Sequence, residues 1–333
     1  LSSNYQSFDN YEDYEDLFDP MQNDRRARRK RNPKPVHEPK KSQEEILDEL
    51  TDDMAGLEGS FETTYQPSQY EAEWLLSSLR PFFDQMLITD VLALVKGGKE
   101  ASVYRCQAHE STGKEFLAAK VYRPRKFRNL RNDKMYREGR QILTGQGRAV
   151  KNNEHRIMRA IGKKSAFGVQ VEHTSWLMYE FTTMKNLYEQ GATVPTPIAA
   201  GENAILMEYY GDEAMPAPTL NEVRLESDDV QPVFDEAMRN IELMLSEGVV
   251  HGDLSPYNML YWNGQLVVID FPQVVDPEAN NNAYFILQRD IERTCKYFAR
   301  QGLECDAGQI ADRLWKRYVS STPADLARLY LDE

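Results

Sequence analysis

Apolar residues recur at steps of three and four through YEAEWLLSSLRPFFDQMLITDVLALV until Lys96-Gly97-Gly98 breaks the pattern, which predicts a helical extension over residues 66–95. Beyond it the period changes. Ser102 to Ala108 and Glu115 to Tyr122 read as two strands around a turn holding Gly113, so a hairpin is expected. A helix from about Ser175 to Gln190 and an apolar run from Ala204 to Tyr210, read as a buried strand, complete a small sheet that carries one helix. The most regular helical signal follows: Val230, Val233, Phe234, Ala237, Met238, Ile241, Met244 and Leu245, with Pro232 in the first turn and Gly248 just past the end. Three more helices are predicted, at Ala283 to Arg300, at Asp306 to Val319, and from the cap at Thr322-Pro323. The pattern is that of an α+β chain with a small β-rich first lobe over 96–210 and a mainly helical second lobe over 211–333.

Composition bounds the setting. The apolar runs Leu266 to Ile269 and Ala204 to Met207 fall far short of the roughly 18 residues a membrane helix needs, so no membrane partner is expected. Leu1 is followed by polar and acidic residues without a leader pattern, which makes the cytoplasm the expected location. Cys106, Cys295 and Cys305 match neither a disulfide framework nor a zinc spacing, and ordinary core roles are expected for them. The net charge of −13 is unevenly laid out. Residues 1–65 hold an acidic run rich in tyrosine (Tyr11 to Asp19), the basic run RRARRKR and then Pro33, Pro35 and Pro39, with too few aliphatic residues to offset the entropy of ordering, so a disordered charged tail is predicted. By contrast, Arg123 to Glu172 carries 14 bases, among them Arg125, Arg140 and Lys163, against four acids. Such a basic insertion suits a polyanion, structured RNA included.

The richest segment is VVHGDLSPYNMLYWNGQLVVIDFPQVVD. Asn263-Gly264 is a two-residue hairpin turn, so Trp262 pairs Gln265, Met259 pairs Val268, and Asn258 and Asp270 meet at the open end. An amide oxygen and a carboxylate there form a hard-oxygen site suited to magnesium held together with phosphates, and Asp253 lies on the loop that feeds the hairpin. In register, HGDxxxxN and the later Asp point to phosphoryl transfer by analogy with the kinase catalytic loop. The first lobe supplies a check. Lys120 stands within the apolar strand FLAAKVY, and Glu180 shares a helix stripe with Leu177, Phe181, Met184 and Tyr188. Two buried charges of opposite sign are most economically one ion pair, which would hold the lysine ready for nucleotide phosphates. The loop Gly97-Gly98-Lys99-Glu100-Ala101-Ser102 lies where a phosphate-covering loop belongs, although it is neither GxGxxG nor GxxxxGK[ST].

GKEASVY, AAKVYR, WLMYEF, LMEYYG followed by MPAPTL, HGDLSPYNML and VVIDFPQ, in this order over roughly Lys96 to Phe298, resemble a RIO-type atypical serine/threonine protein kinase. The resemblance implies a two-lobed protein-kinase-like fold, ATP with magnesium (manganese as its substitute), and a protein substrate that includes the chain itself. It assigns Lys120 to the phosphates, Glu180 to the lysine, Asp253 to the catalytic base, and Asn258 and Asp270 to the metal. Glu208 and Tyr210 become hinge residues facing adenine, Ser102 a phosphate-loop contact, and Lys99, Val103 and Met207 further nucleotide-binding residues. The family's association with the small ribosomal subunit suggests a ribosomal precursor or RNA partner. This chain departs from the family at Pro256, where an acidic residue is common, and it combines MPAPTL with IDFPQ, features of different subgroups. Only Phe271 to Asn282 separate Asp270 from the next helix and no APE follows, so a long activation segment is not expected; glycine at 252 also removes the arginine that would receive an activation-loop phosphate. Two rival functions share these residues: a small-molecule phosphotransferase, and a nucleotide-gated assembly factor that hydrolyses ATP slowly.

Overall fold

The computed structural model describes residues 63–98, 100–123, 140–151, 154–163 and 165–320. The charged tail up to residue 62, Lys99, most of the first part of the basic insertion and the helix expected from Thr322 lie outside the described residues. Tyr65, the last of the residues expected to be disordered, is instead tied to the fold by its N–H on the Val91 carbonyl at 2.8 Å. Among the described residues, no helix is long and apolar enough to cross a membrane.

The first lobe is a five-stranded antiparallel sheet in the order β1-β2-β3-β5-β4, formed by β1 (Ile88–Gly97), β2 (Ala101–Ala108), β3 (Phe116–Tyr122), β4 (Pro197–Ala200) and β5 (Ala204–Glu208). Its two faces have different neighbours. Alternation along β2 buries Ser102, Tyr104, Cys106 and Ala108 on one face, where Leu117, Ala119, Val121 and Leu206 join them against Leu75, Leu79 and Phe82 of helix α1 (Gln69–Asp84). Register puts Val103, Ala118, Lys120, Ile205 and Met207 together on the other face, which looks toward the second lobe.

The helix predicted over 66–95 is therefore shorter than expected. It ends at Asp84, Met86 takes a left-handed φ of 53°, and ITDVLALV continues as β1. The misleading signal has a physical origin. Register shifts at three places along β1 change its two-residue alternation, so Ile88 and Val91, both buried, fall three apart as they would on a helix.

The helix carrying Glu180 begins earlier than Ser175. Helix α3 spans Ala166–Glu189, with the Ser165 hydroxyl accepting the Gly168 N–H at its start, and it packs on the short helix α2 (His155–Gly162). Gly168 weakens the helical signal for a packing reason: a Cβ there would run into the Ala160 backbone, so glycine permits the two helices to cross closely. Tyr188, expected on the apolar stripe, is exposed.

The second lobe follows the predicted order. Helix α4 (Val230–Ser246) buries Val230, Val233, Ala237, Ile241, Met244 and Leu245. β6 (Met259–Trp262) and β7 (Gln265–Val268) pair in the expected register around Asn263 (φ 51°) and Gly264 (φ 80°), the left-handed pair that a tight hairpin requires. Helices α5 (Ala283–Arg300) and α6 (Ala307–Tyr318) complete it, α6 capped by the Asp306 side chain on the Gln309 N–H. A disulfide joins Cys295 to Cys305, so these two are not the ordinary core thiols expected. They meet because α5 turns back at Gln301-Gly302 into the loop before α6, a proximity that a ten-residue separation does not reveal. Cys106 is a buried free thiol.

Candidate active site

Lys120 projects from β3 into the junction of the lobes. Its Nζ lies 2.5 Å from Glu180 Oε1 of α3 and also contacts Asp270 Oδ1, just past β7. The lysine and glutamate side chains are 11% and 5% exposed, whereas Asp270 is 38% exposed and opens toward solvent. Burial alone would lower the Lys120 pKa, but the Asp270 and Glu180 carboxylates outweigh it and hold the ammonium well above its ordinary value. Burial likewise pushes the Glu180 carboxyl up against the pull of Lys120. Asp270 is held below its usual range, burial being overcome by the lysine. The ion pair expected from FLAAKVY and the α3 stripe is present.

One partner in this cluster escaped the sequence. The Tyr122 hydroxyl donates to Glu180 Oε2, so each glutamate oxygen has its own donor. Tyr122 follows Lys120 by two residues on the same strand face and stacks edge-on against Trp176 of α3 at 4.8 Å. The signal was available in AAKVYR: a tyrosine sharing the lysine's face needs a hydroxyl partner when buried.

On the loop that feeds the hairpin, Asp253 and Asn258 come together. Asn258 Nδ2 donates to the Asp253 carbonyl at 2.9 Å and to Asp253 Oδ2 at 3.1 Å, which leaves the amide oxygen as its acceptor end. The Ile269 N–H reaches the Asn258 carbonyl at 3.0 Å and extends the ladder to the residue before Asp270. Asp270 itself has φ 72°, a left-handed backbone that aspartate tolerates better than most residues. Gly252 has φ 87°, and a Cβ there would collide with the Gln273 carbonyl; the glycine before Asp253 is thus a steric requirement of the passing chain.

Helix α5 holds this loop from below, a contribution the sequence did not suggest. Asp290 accepts the Gly252 N–H at 2.8 Å, Arg289 donates to the Gly252 carbonyl, and Arg293 Nη1 donates to Asp253 Oδ1 at 2.7 Å. Charged residues on a helix that also buries Ile286, Leu287, Ile291 and Phe298 were the available signal, since such groups need partners.

The remaining expected residues divide. Val103 and Met207 share the Lys120 face with Ala118 and Ile205, giving an apolar wall beside the lysine. Ser102 lies on the opposite face, 2% exposed beside Tyr104, so its side chain is not brought to the site. Glu208 ends β5 with its carboxylate bound to Lys114 and Thr196, and its N–H donates to the Thr196 carbonyl at 2.9 Å. The Tyr210 carbonyl accepts the Ala217 N–H at 2.9 Å, and burial, then Glu208 and Tyr188, raise its phenol to about 12. Lys99 lies outside the described residues. Arg140, counted above with the docking bases, instead donates to the Pro272 and Val274 carbonyls at 2.8 and 2.7 Å and covers the Tyr179 ring at 4.5 Å, so it pins the segment after Asp270.

The family model described as RIO1, RIO domain, matches residues 102–310 and so spans every described residue of this site. The chain belongs to the RIO domain family. A RIO-type serine/threonine-protein kinase Rio1 of Haloferax volcanii is 30% identical over 218 residues, 65% of this chain and 66% of that protein. Its namesake from Thermoplasma acidophilum is 31% identical over 142 residues, 43% of this chain and 73% of that protein. This RIO domain thus spans just under two thirds of the haloarchaeal relative. Among solved structures, a Rio2 kinase from Chaetomium thermophilum matches with a TM-score of 0.50 at 17% identity, over 86% of this chain and 87% of that one, which shows the two-lobed kinase fold.

Proposed function

We propose that this RIO domain is an ATP-dependent serine/threonine protein kinase that also turns over ATP by hydrolysis. The observation that carries the proposal is Lys120, held charged between Glu180 and Asp270 at the mouth of a loop presenting Asp253 and Asn258. The apolar wall of Val103, Ala118, Ile205 and Met207 would receive adenine, with backbone groups of Glu208 and Tyr210 at its edge. Lys120 would bind the phosphates. Asp253 would orient an acceptor hydroxyl and take its proton as the new O–P bond forms, while the bond from the γ-phosphorus to the bridging oxygen breaks and ADP leaves with the electron pair.

The donor chemistry of Asn258 and Asp270 fits a magnesium ion. One amide oxygen and one partly exposed carboxylate are an incomplete hard-oxygen set, as expected for a metal that shares its shell with phosphates and water, and no cluster of three metal-binding side chains occurs among the described residues. Bound there, the ion would neutralise charge on the phosphates. With γ-labelled ATP, label is expected on serine or threonine of protein and as free phosphate, and Asp253→Asn should abolish transfer while retaining nucleotide binding. Label on a small molecule alone, or an active Asp253→Asn, would refute the proposal.

A polyanionic partner is the second element of the reading, favoured by helix α2. His155, Arg156, Arg159 and Lys163 line a cavity of about 350 Å³ on one exposed helix face, and Arg156 lies 5.9 Å from the exposed Phe167 ring. A row of cations beside an accessible ring suits RNA, the partner that a ribosomal role would require. Reversing Arg156, Arg159 and Lys163 to glutamate should weaken RNA binding and flatten its salt dependence; equal binding by the triple variant, measured by anisotropy across a salt series, would remove the site.

A further inference from the structure

We propose that Arg293 is the positioning residue of the catalytic loop, fixing the Asp253 carboxylate in the orientation that receives the acceptor hydroxyl. The proposal rests on the assignment of Asp253 as the base. Three residues of α5 reach the same loop, yet they do different things. Arg289 and Asp290 take the carbonyl and the N–H of Gly252, so they hold backbone. Arg293 addresses the Asp253 side chain at 2.7 Å. The loop is also tied by the Val250–Val275 bridge and by His251 Nε2, 3.1 Å from the Ile269 carbonyl. Its path therefore does not depend on Arg293.

What does depend on Arg293 is the carboxylate. Asp253 Oδ1 meets the guanidinium and Oδ2 meets Asn258 Nδ2, two donors that come from different elements and grip the two oxygens separately. A carboxylate held at both oxygens cannot rotate about its terminal bond without losing one contact, and its roughly four acceptor positions still provide for a hydroxyl. Arginine is suited to this because its planar fork has a fixed direction, which a lysine ammonium lacks. The Arg293 and Asp253 side chains are 4% and 10% exposed, so water is poorly placed to replace either partner. Asn258 would gain a second duty: its NH₂ steadies the base and leaves its oxygen for the metal, so one side chain would link the two halves of the site.

The test uses the full chain with labelled ATP and compares Arg293→Met, Arg293→Lys and Asp253→Asn. A displacement of the base by about 1 Å is expected to cost on the order of 100-fold in kcat. Arg293→Met should show that loss with the ATP KM and ADP–magnesium affinity within about threefold of the parent, a split that general loosening of the fold would not produce. Arg293→Lys should recover about tenfold, since charge returns without the fork. Parent-like kcat in Arg293→Met beside an inactive Asp253→Asn would overturn the proposal, as would a parallel loss of kcat and ADP affinity. If Asp253→Asn stays active, the base assignment has failed and Arg293 has nothing to position. Should Arg293→Met not fold, Arg293→Lys decides: reduced kcat at unchanged ADP affinity supports the role, and parent-like kcat rejects it.

Discussion

Glu180→Gln is the sharpest perturbation of the lysine site, because glutamine keeps the shape of the side chain and removes only its charge. In the parent, Glu180 is 4% exposed, with Lys120 Nζ at 2.5 Å on one oxygen and the Tyr122 hydroxyl on the other. Orphaning one member of a buried ion pair costs about 3–5 kcal/mol. Here the loss is smaller: Lys120 keeps Asp270, and the amide still offers both partners a hydrogen bond. We therefore expect about 2 kcal/mol of destabilisation, which for a folded region of this size lowers Tm by about 4–8 °C. Function should suffer in a particular direction. With Glu180 neutral, Lys120 is drawn wholly toward Asp270, so it is aimed less well at phosphates and competes harder for the metal carboxylate. An increase of about tenfold in the ATP KM, partly relieved by raised magnesium, is the expected signature, corresponding to about 1.4 kcal/mol. Thermal denaturation and steady-state kinetics over a magnesium series measure both. A Glu180→Gln protein that melts within about 1 °C of the parent and keeps its ATP KM would refute the buried-pair reasoning.

Two further predictions test the frame. Glu236 is held at about 2 against an ordinary 4.5, chiefly by Arg239, with burial opposing and Thr193 and Asn240 assisting. Its contribution to stability is fully present above about 4.5 and is lost as pH falls toward 2, because only the unfolded state takes up the proton early. Tm measured across this window should fall less steeply in Glu236→Gln, and parallel curves would dismiss the contribution. Gly252→Ala must adopt the same φ of 87° and push against the Gln273 carbonyl, so the loop has to shift. Strain of about 1–3 kcal/mol and a marked loss of kcat are expected, and a parent-like enzyme would mean that the loop is freer than its geometry implies.

What was legible in the sequence follows from how local its cause was. The β6–β7 register could be read because Asn263-Gly264 demands one turn type, and that turn alone carries Asn258 to Asp270. Lys120 and Glu180 were legible for another reason: each stood on an apolar face where a lone charge is costly, so each implied the other. Strand β1 was hidden because bulges gave a strand the spacing of a helix. The start of α3 was hidden by Gly168, whose reason is a neighbouring helix, and the Cys295–Cys305 pair by a reversal of the chain. Arg140 was misjudged and Arg293 passed over for one reason: charge counted along a sequence does not reveal which side chains turn inward.

On the proposed function, the two-sided pairing of Lys120 would favour a nucleotide and a cation arriving together. As the structure stands, Lys120 and Asp270 neutralise one another, and Asp270 is the more exposed of the two. A polyphosphate arriving alone would satisfy Lys120 but leave Asp270 as an anion beside other anions; a cation arriving alone would satisfy Asp270 but take a carboxylate from a buried ammonium. Each single exchange is therefore opposed by the charge it leaves uncompensated. With both bound, Lys120 would exchange one anion for another and Asp270 one cation for another, which would leave neither charge without a partner. Glu180 keeps the lysine in place during the trade because, with Tyr122 on its far oxygen, it is anchored independently of Asp270. On that reading the Lys120–Asp270 contact would be a resting state for both groups, and its polarity would favour a metal–phosphate complex over either component.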